Sequence, residues 1–198
     1  MIITHMAMSL DGFVAAPNDD PQELFEWYGA GDVEVPSASG SMAFRVDEAS
    51  AEVLERFTTG TGALISGRHL FDIANGWNDR HPVGAPVVVV THQVPDDADR
   101  WPRTRFVGDV VTAVEVAREI AGDRVISIAS PQIAQQAIAL GLVDDIWVSL
   151  IPVLFGTGKS YFADLGRHVM LEDPEVVPGK RALHLRYPVR RDAAGGLR

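Results

Sequence analysis

Short apolar runs alternate with amphipathic, helix-like segments through the first two thirds of the chain. The pattern predicts strands at 2–8, 63–66, 86–91, 104–107 and 124–129, and helices that begin at 47, 68, 111 and 131. A repeated order of strand, helix and strand is typical of a mainly parallel sheet covered by helices on both faces. Sheets of this kind bind ligands at the carboxyl ends of their strands.

The last third of the chain predicts a different ending for the sheet. Residues 146–153 form one more strand-like run, and 168–177 and 181–189 are predicted to be a closing pair of antiparallel strands. The residues from 190 to 198 are expected to be a frayed tail. We therefore expect one α/β domain over residues 1–189. Residues 16–46, rich in Pro, Ser and Gly but also in aromatic residues, are expected to be a long loop that covers something.

Composition excludes several classes of function. The 198 residues include 17 Lys plus Arg and 27 Asp plus Glu, a net charge of −10, which argues against nucleic acid or an anionic membrane as a partner. Cysteine is absent, so disulfides, thiolate catalysis and cysteine-ligated metals are excluded. The six histidines show no metal-binding spacing, and no metal is expected. The N-terminus lacks the basic region of a secretory signal, so we expect a cytoplasmic protein without a membrane span.

Three turns at predicted strand ends are suited to anion binding. They are Gly67-Arg68-His69, Thr91-His92-Gln93 and Ala129-Ser130-Pro131. Glycine allows the backbone to approach an anion closely, and arginine adds a planar, permanently charged fork. Ser130 is predicted to cap the helix that Pro131 begins. The alternative for Gly67-Arg68 is an ordinary turn with a solvated arginine.

The order of five short motifs resembles the dihydrofolate-reductase-like superfamily. More closely, it resembles the C-terminal reductase domain of the riboflavin-pathway deaminase-reductase and its single-domain relatives. The motifs are Met8-Ser9-Leu10-Asp11-Gly12, Gly67-Arg68, Ala129-Ser130, Gly141-Leu142-Val143-Asp144-Asp145 and Pro152-Val153-Leu154-Phe155-Gly156-Thr157-Gly158. The resemblance covers residues 1 to about 187 and implies a three-layer α/β sandwich.

The resemblance implies an NADPH-dependent reductase that transfers a hydride to a small heteroaromatic substrate. Candidates are a pterin or an aminopyrimidine such as the substrate of 5-amino-6-(5-phosphoribosylamino)uracil reductase in riboflavin biosynthesis. Related proteins often form homodimers. The cofactor positions carried over by motif are Ala7, Gly12 and Phe13 at the nicotinamide, Gly67, Arg68 and His69 at the phosphates, Thr91 and His92 at the adenosine ribose, and Ala129, Ser130, Pro131 and Gln132 at the pyrophosphate.

Three positions depart from the pattern of this family. Relatives carry Gly-Gly where this chain has Ala129-Ser130, and the riboflavin-pathway enzymes carry Glu where it has Ile128. Leu70 stands where dihydrofolate reductases often have Thr. The chain also lacks the cysteines of a zinc deaminase half. These departures leave an alternative function open, an NADP(H)- or nucleotide-binding protein without reductase turnover. A flavin-dependent enzyme on another α/β scaffold is a third possibility.

Hydride transfer commonly needs a proton donor whose pKa is raised by burial. The candidate carboxyls are Asp11, in the loop after the first strand, and Asp47 and Glu48, at the start of the helix that forms one wall of the pocket in similar proteins. Their structural alternatives are a turn residue for Asp11 and an N-cap and a first-turn acid for the other two. Trp27 and Trp77 are candidates for stacking on a planar substrate, with core packing as the alternative.

Overall fold

One sheet takes strands from nearly the whole length of the chain. The computed structural model describes residues 1–163 and 165–191. Its strands are β1 (Ile2–Ser9), β2 (Phe13–Ala15), β3 (Val33–Pro36), β4 (Ala43–Val46), β5 (Thr61–Gly67), β6 (Val87–Val90), β7 (Thr104–Val107), β8 (Val125–Ile128), β9 (Asp145–Ile151), β10 (Lys159–Ser160), β11 (Glu175–Pro178) and β12 (Leu183–Pro188). Its α-helices are α1 (Glu48–Gly60), α2 (Arg68–Ile73), α3 (Val110–Ala121) and α4 (Pro131–Ala139).

Eight strands form the central sheet in the order β11-β12-β9-β1-β8-β5-β6-β7. The six strands from β9 to β7 are parallel to one another, whereas β12 pairs antiparallel with β9, and β11 with β12. The mainly parallel sheet with antiparallel C-terminal strands is therefore confirmed. In the described part of the chain, no helix has the length and apolar character needed to cross a bilayer.

Helices cover both faces of the sheet because its strands alternate their side chains between two apolar layers. Ala63 and Ile65 of β5 pack with α3 and α4, whereas Leu64 between them packs with Phe71 of α2 on the other face. Helix α1 lies on the same face as α2, where its Leu54 packs with Ile151 of β9. The sheet is thus the middle of three layers.

The segment 16–46 contains more regular structure than a long loop. A 3-10 helix occupies Gln22–Gly29, and β3 and β4 form an antiparallel hairpin. The hairpin alternates exposed residues with the buried Val35, Phe44 and Val46, a period-2 pattern that the surrounding Pro, Ser and Gly residues obscure. The segment does cover something, because its buried side chains form an apolar cluster with α1.

The C-terminal tail is better anchored at its start than predicted. The Arg190 N–H donates to the Met170 carbonyl at 2.9 Å, and its guanidinium binds both Glu172 carboxylate oxygens at 2.9 Å. Arg191 donates to Asp144. Fraying therefore does not begin at 190, and residues 192–198 lie outside the described residues.

The topology creates a crevice at the carboxyl edge of the sheet. Strands β5 and β8 are neighbours, but the chain leaves β5 through α2 on one face and leaves β8 through α4 on the other. Right-handed crossovers in opposite directions produce this divergence. The space between two diverging connections is the usual ligand site of an open α/β sheet.

Candidate active site

The floor of the crevice joins the ends of β5 and β8. The Gly67 N–H donates to the Ser130 hydroxyl oxygen at 2.8 Å, and the Ser66 hydroxyl lies 3.2 Å from it. A Cβ on residue 67 would lie 3.3 Å from Ile133 Cγ1 and 3.5 Å from the Ser130 oxygen. Glycine at 67 therefore lets β5 and α4 approach closely.

Ser130 does not cap α4 in the predicted way. It occupies the N-cap position and Pro131 follows it, but the Ser130 side chain makes no hydrogen bond to its own helix. Its hydroxyl is used by β5 instead. The backbone N–H groups at the start of α4 thus keep their capacity to bind an anion from outside the helix.

Arg68 connects helix α2 to the loop after β6 on the far side of the crevice. Its Nε donates to Asp72 Oδ1 at 2.7 Å, and its Nη1 donates to the Gln93 carbonyl at 2.8 Å. The Thr91 hydroxyl also donates to the Gln93 carbonyl, at 2.9 Å, and so shapes the turn after β6. The guanidinium is held in place at the crevice rather than freely solvated. His92 and Gln132 are exposed at the same edge.

A ribbon formed by β2 and β10 bridges the crevice. On the α4 side, the Gln135 side chain donates to the carbonyls of Ser160 and Tyr161 at 3.1 and 3.0 Å. On the α2 side, Asp19 binds both His69 Nε2, at 2.9 Å, and the Lys159 ammonium. Asp19 is thus the contact between the ribbon and α2.

Asp11 holds two loops together at the carboxyl end of β1. Its carboxylate accepts hydrogen bonds from the Ser9 hydroxyl at 2.6 Å, from the Gly156 N–H at 2.7 Å and from the Phe155 N–H at 3.1 Å. The bond from Ser9, together with those two backbone bonds, holds the pKa of Asp11 below its ordinary value. Asp11 is therefore ionised at neutral pH and is suited to positioning rather than to proton donation.

The remaining nicotinamide positions lie beside Asp11. Gly12 has φ +93°, a backbone conformation that favours glycine, and it accepts a hydrogen bond from the Tyr161 N–H at 2.9 Å. The Phe13 N–H donates to the Ser9 hydroxyl oxygen at 2.9 Å. Ala7 is half-buried against the cluster that contains Trp27.

Asp47 caps α1 and also terminates a buried hydrogen-bond chain. It accepts from the Ser50 N–H at 3.2 Å, the Ser50 hydroxyl at 2.6 Å and the Lys180 N–H at 2.8 Å. Burial opposes ionisation of this carboxyl, but these three hydrogen bonds outweigh it and lower the pKa of Asp47. The expectation of a carboxyl with a raised pKa is thus wrong for both Asp11 and Asp47.

The chain continues from Ser50 through the core to His5. Ser50 Oγ lies 3.0 Å from His184 Nε2, His184 Nδ1 lies 3.0 Å from Ser149 Oγ, and Ser149 Oγ lies 3.2 Å from His5 Nε2. Burial lowers the pKa of His184, and burial with the charges of His184 and Arg56 lowers the pKa of His5 to about 3. Both rings are therefore neutral at pH 7.

The direction of every proton in this chain follows from the ionised end. Ser50 has one hydroxyl proton and donates it to Asp47, so Ser50 accepts from His184 Nε2–H. The other nitrogen of neutral His184 must then accept from Ser149. Ser149 in turn accepts from His5 Nε2–H. All the donors point towards the Asp47 carboxylate.

The other predicted site residues lie away from the crevice. Glu48 is exposed on the first turn of α1. Trp27 is 1% exposed and packs against Tyr28 and His184, so it belongs to the core and is not available for stacking on a substrate. Trp77 packs against Phe71 and His81 in a segment that leads to the amino end of β6. These two ring contacts match the core-packing alternative for Trp77.

The crevice fits the diphosphate part of a dinucleotide. The uncapped start of α4 offers backbone donors, Gly67 leaves room at the floor, and Arg68 supplies a fixed positive charge. The donor set is therefore appropriate for phosphate oxygens, even though Ser130 adds a side chain where the family pattern has none.

The sequence profile of the RibD C-terminal domain family matches residues 1–185. The chain belongs to this family. No curated protein matches the chain in sequence.

Solved structures of low sequence identity share the fold of this RibD C-terminal domain. A Shewanella sp. PV-4 protein assigned to riboflavin biosynthesis is 20% identical, with a TM-score of 0.71 over 96% of this chain and 99% of that one. Acinetobacter baumannii RibD is 13% identical, with a TM-score of 0.64 over 96% of this chain and 57% of that one. The riboflavin biosynthesis reductase Rib7 of Saccharomyces cerevisiae is 10% identical, with a TM-score of 0.62 over 96% of this chain and 90% of that one. The predicted three-layer sandwich and the family resemblance are both confirmed.

Sequence reasoning missed two groups of residues in this RibD C-terminal domain. The first is the buried chain of Ser50, Ser149, His184 and His5, whose only local signal is a histidine placed inside an apolar strand. The second is the pair Asp19 and Lys159, which are 140 positions apart and meet only because β2 pairs with β10. Pairing of such short strands leaves no readable period in the sequence.

Proposed function

We propose that this RibD C-terminal domain is an NADPH-dependent reductase that transfers a hydride to a small heteroaromatic substrate of the pterin or aminopyrimidine class. The observation that carries the proposal is the crevice between β5 and β8, with its uncapped start of α4 beside Gly67 and Arg68. Membership of a reductase-domain family and the fold shared with Rib7 support it.

Backbone and side-chain groups have separate roles in the proposed reaction. The N–H groups at the start of α4 bind the diphosphate, and Arg68 contributes charge from the opposite side. NADPH, when bound, supplies the hydride. Asp11 keeps the loops after β1 and β9 in one arrangement, so that the nicotinamide and the substrate meet in a near-attack geometry.

A calorimetric titration with NADPH and with NADH tests the proposal. We expect saturable binding of NADPH at micromolar concentration and weaker binding of NADH, since the 2′-phosphate adds a charged contact. Oxidation of bound NADPH is then followed at 340 nm with pterin, folate and aminopyrimidine candidates. Absence of binding by either nucleotide would contradict the proposal.

One observation favours a second function, binding of NADP(H) without turnover. Trp27, the side chain expected to stack on a substrate beside α1, is 1% exposed and fills the core there. Tight NADPH binding without oxidation across the substrate panel would favour this second function. The homodimer remains a proposal, and light scattering on the purified protein tests it.

A further inference from the structure

We propose that Lys159 and His69 form a phosphate-binding subsite at the mouth of the crevice, and that Asp19 occupies this subsite as an internal competitor. The ligand is a phosphate group, carried either by the dinucleotide or by a phosphorylated substrate. This inference rests on the proposed function, because it assigns part of the same crevice.

The first step is the composition of the cluster. The Lys159 ammonium lies 3.1 Å from His69 Nε2, and both groups contact one oxygen of Asp19. A cation and a ring N–H that converge on a single carboxylate oxygen form the donor set that a phosphate oxygen requires. A dianionic phosphate has more charge and more acceptor oxygens than a carboxylate, so it competes well for these donors.

The second step is the location of the cluster. His69 belongs to α2, and Lys159 belongs to the ribbon that Gln135 attaches to α4. Because α2 and α4 are the two walls of the crevice, the contact between Asp19 and His69 closes a bridge across it. The cluster therefore lies in the same crevice as the Gly67 and Ser130 floor.

The third step is that the bridge can exchange its occupant. The side chains of Asp19, Lys159 and His69 are 26%, 33% and 62% exposed, and ion pairs this accessible to water are weak. Asp19 also has φ +71°, which is uncommon for a residue with a side chain. Its turn is closed by hydrogen bonds from Asp19 N–H to the Ala16 carbonyl and from Ala16 N–H to the Asp20 carbonyl, so the backbone of the turn does not depend on the contact of the Asp19 side chain with Lys159 and His69.

The test compares the full-length protein with Asp19→Asn, Lys159→Met, Lys159→Arg and the double variant Asp19→Asn/Lys159→Met. Asp97→Asn is the matched control, because it removes the same charge from another exposed ion pair, with Arg100. Calorimetry measures the affinity of each protein for NADPH, inorganic pyrophosphate and ribose 5-phosphate. Circular dichroism and thermal unfolding verify that each variant is folded.

We expect Asp19→Asn to bind at least one phosphate probe about two- to fivefold more tightly than the wild type. The gain is small because the exposed ion pair that competes with the phosphate is itself weak. Lys159→Met is expected to bind that probe about tenfold or more weakly, and Lys159→Arg to retain most of the affinity. In the Lys159→Met background, Asp19→Asn should give a smaller gain, because only His69 is then released from Asp19. Asp97→Asn should behave as the wild type. A gain for NADPH and pyrophosphate assigns the cofactor phosphates, whereas a gain for ribose 5-phosphate alone assigns the substrate.

Two results overturn the inference. The first is an unchanged or weaker affinity of Asp19→Asn for all three probes. The second is that Asp19→Asn increases the affinity by the same factor in the presence and in the absence of Lys159. Failure of the proposed function is distinguishable. If pyrophosphate or ribose 5-phosphate shows the gain while NADPH binds to no variant, the subsite stands and the NADPH assignment fails. If NADPH binds to the wild type and none of the three probes binds more tightly to Asp19→Asn, the reductase proposal stands and the competitor role fails.

Discussion

Two aspartates near the carboxyl edge of the sheet are held in opposite ways. Asp47 is bound by neutral donors, a hydroxyl and two backbone N–H groups, at the end of a hydrogen-bond chain that runs through the core. Asp19 is bound by the side chains of Lys159 and His69 in a cluster open to water. The comparison shows that acidic residues at one edge can serve different purposes. The first stabilises the fold, and the second is placed to exchange with a ligand.

The largest expected effect is a loss of stability when Asp47, the aspartate at the end of the buried chain, is substituted. Asp47→Ala removes the N-cap of α1 and the acceptor for Ser50 and Lys180, and should lower the free energy of unfolding by about 2–4 kcal/mol. Asp109→Ala is the control, because Asp109 caps α3 through Thr112 in the same way but without a buried chain behind it. It should cost about 1 kcal/mol in urea unfolding. Equal losses would show that the chain to His5 contributes nothing.

Substitution of an exposed charged residue at the crevice should affect NADPH binding more than stability. Arg68→Ala removes a charged donor at the crevice and is expected to weaken NADPH binding by about 1.5–3 kcal/mol. Its loss of stability should stay below about 1 kcal/mol, because its pair with Asp72 is exposed. Arg100→Ala, which breaks a comparable surface pair, is the control for calorimetry and urea unfolding. Unchanged NADPH affinity in Arg68→Ala would remove Gly67-Arg68 from the site.

The buried histidines should make stability depend on pH. Burial lowers the pKa of His81 to about 4 and, as its largest cause, lowers the pKa of His5 to about 3. Between its lowered pKa in the folded protein and its ordinary pKa of 6.5, each imidazole binds a proton in the unfolded chain but not in the folded protein. Stability therefore falls as the pH drops from about 6.5 towards 4. The contribution of Asp47, whose folded pKa is lowered, is lost only below about pH 4.

Urea unfolding at several pH values between about 4.5 and 7 measures this dependence. His5→Gln should reduce the slope of unfolding free energy against pH by up to about 1.4 kcal/mol per pH unit, the effect of one proton. His92→Gln, a change at an exposed histidine, should leave the slope as in the wild type. A His5→Gln slope equal to that of the wild type would contradict the burial of a neutral His5.

The smallest expected effect is a change in the NMR signals of the buried histidines. The proton directions in the buried chain require the Nε2–H tautomer for both His184 and His5, which long-range ¹H–¹⁵N spectra distinguish from the Nδ1–H form. Asp47→Asn changes the acceptor at the end of the chain and should alter the His184 signals first. An Nδ1–H tautomer of His184 in the wild type would reverse the inferred direction and contradict the role of Asp47 as the acceptor.

The comparison also shows which features the sequence could predict. Most strands of the sheet and α1 to α4 follow from local periodicity, and the predicted N-cap position of Asp47 is where helix α1 begins. The strand predicted over 168–177 is an exception, because β11 occupies only Glu175–Pro178. The functions of Ser130, Asp19 and Trp27 depend on partners distant in sequence. Ser130 has a capping sequence around it, but its hydroxyl binds Gly67, 63 residues away, because β5 and β8 are neighbours. Local rules cannot anticipate such competition for a single hydroxyl.

Backbone ¹⁵N NMR during a titration with NADPH tests the central claim most directly, because it reports where the dinucleotide binds. The account predicts that the largest shifts occur at the amides of Gly67, Arg68, Gln132 and Ile133, on the two sides of the crevice. Val176 and Val177, on the edge strand β11, should not move. Shifts confined to β11 and β12, with Gly67 and Gln132 unchanged, would contradict the assignment of the crevice as the cofactor site.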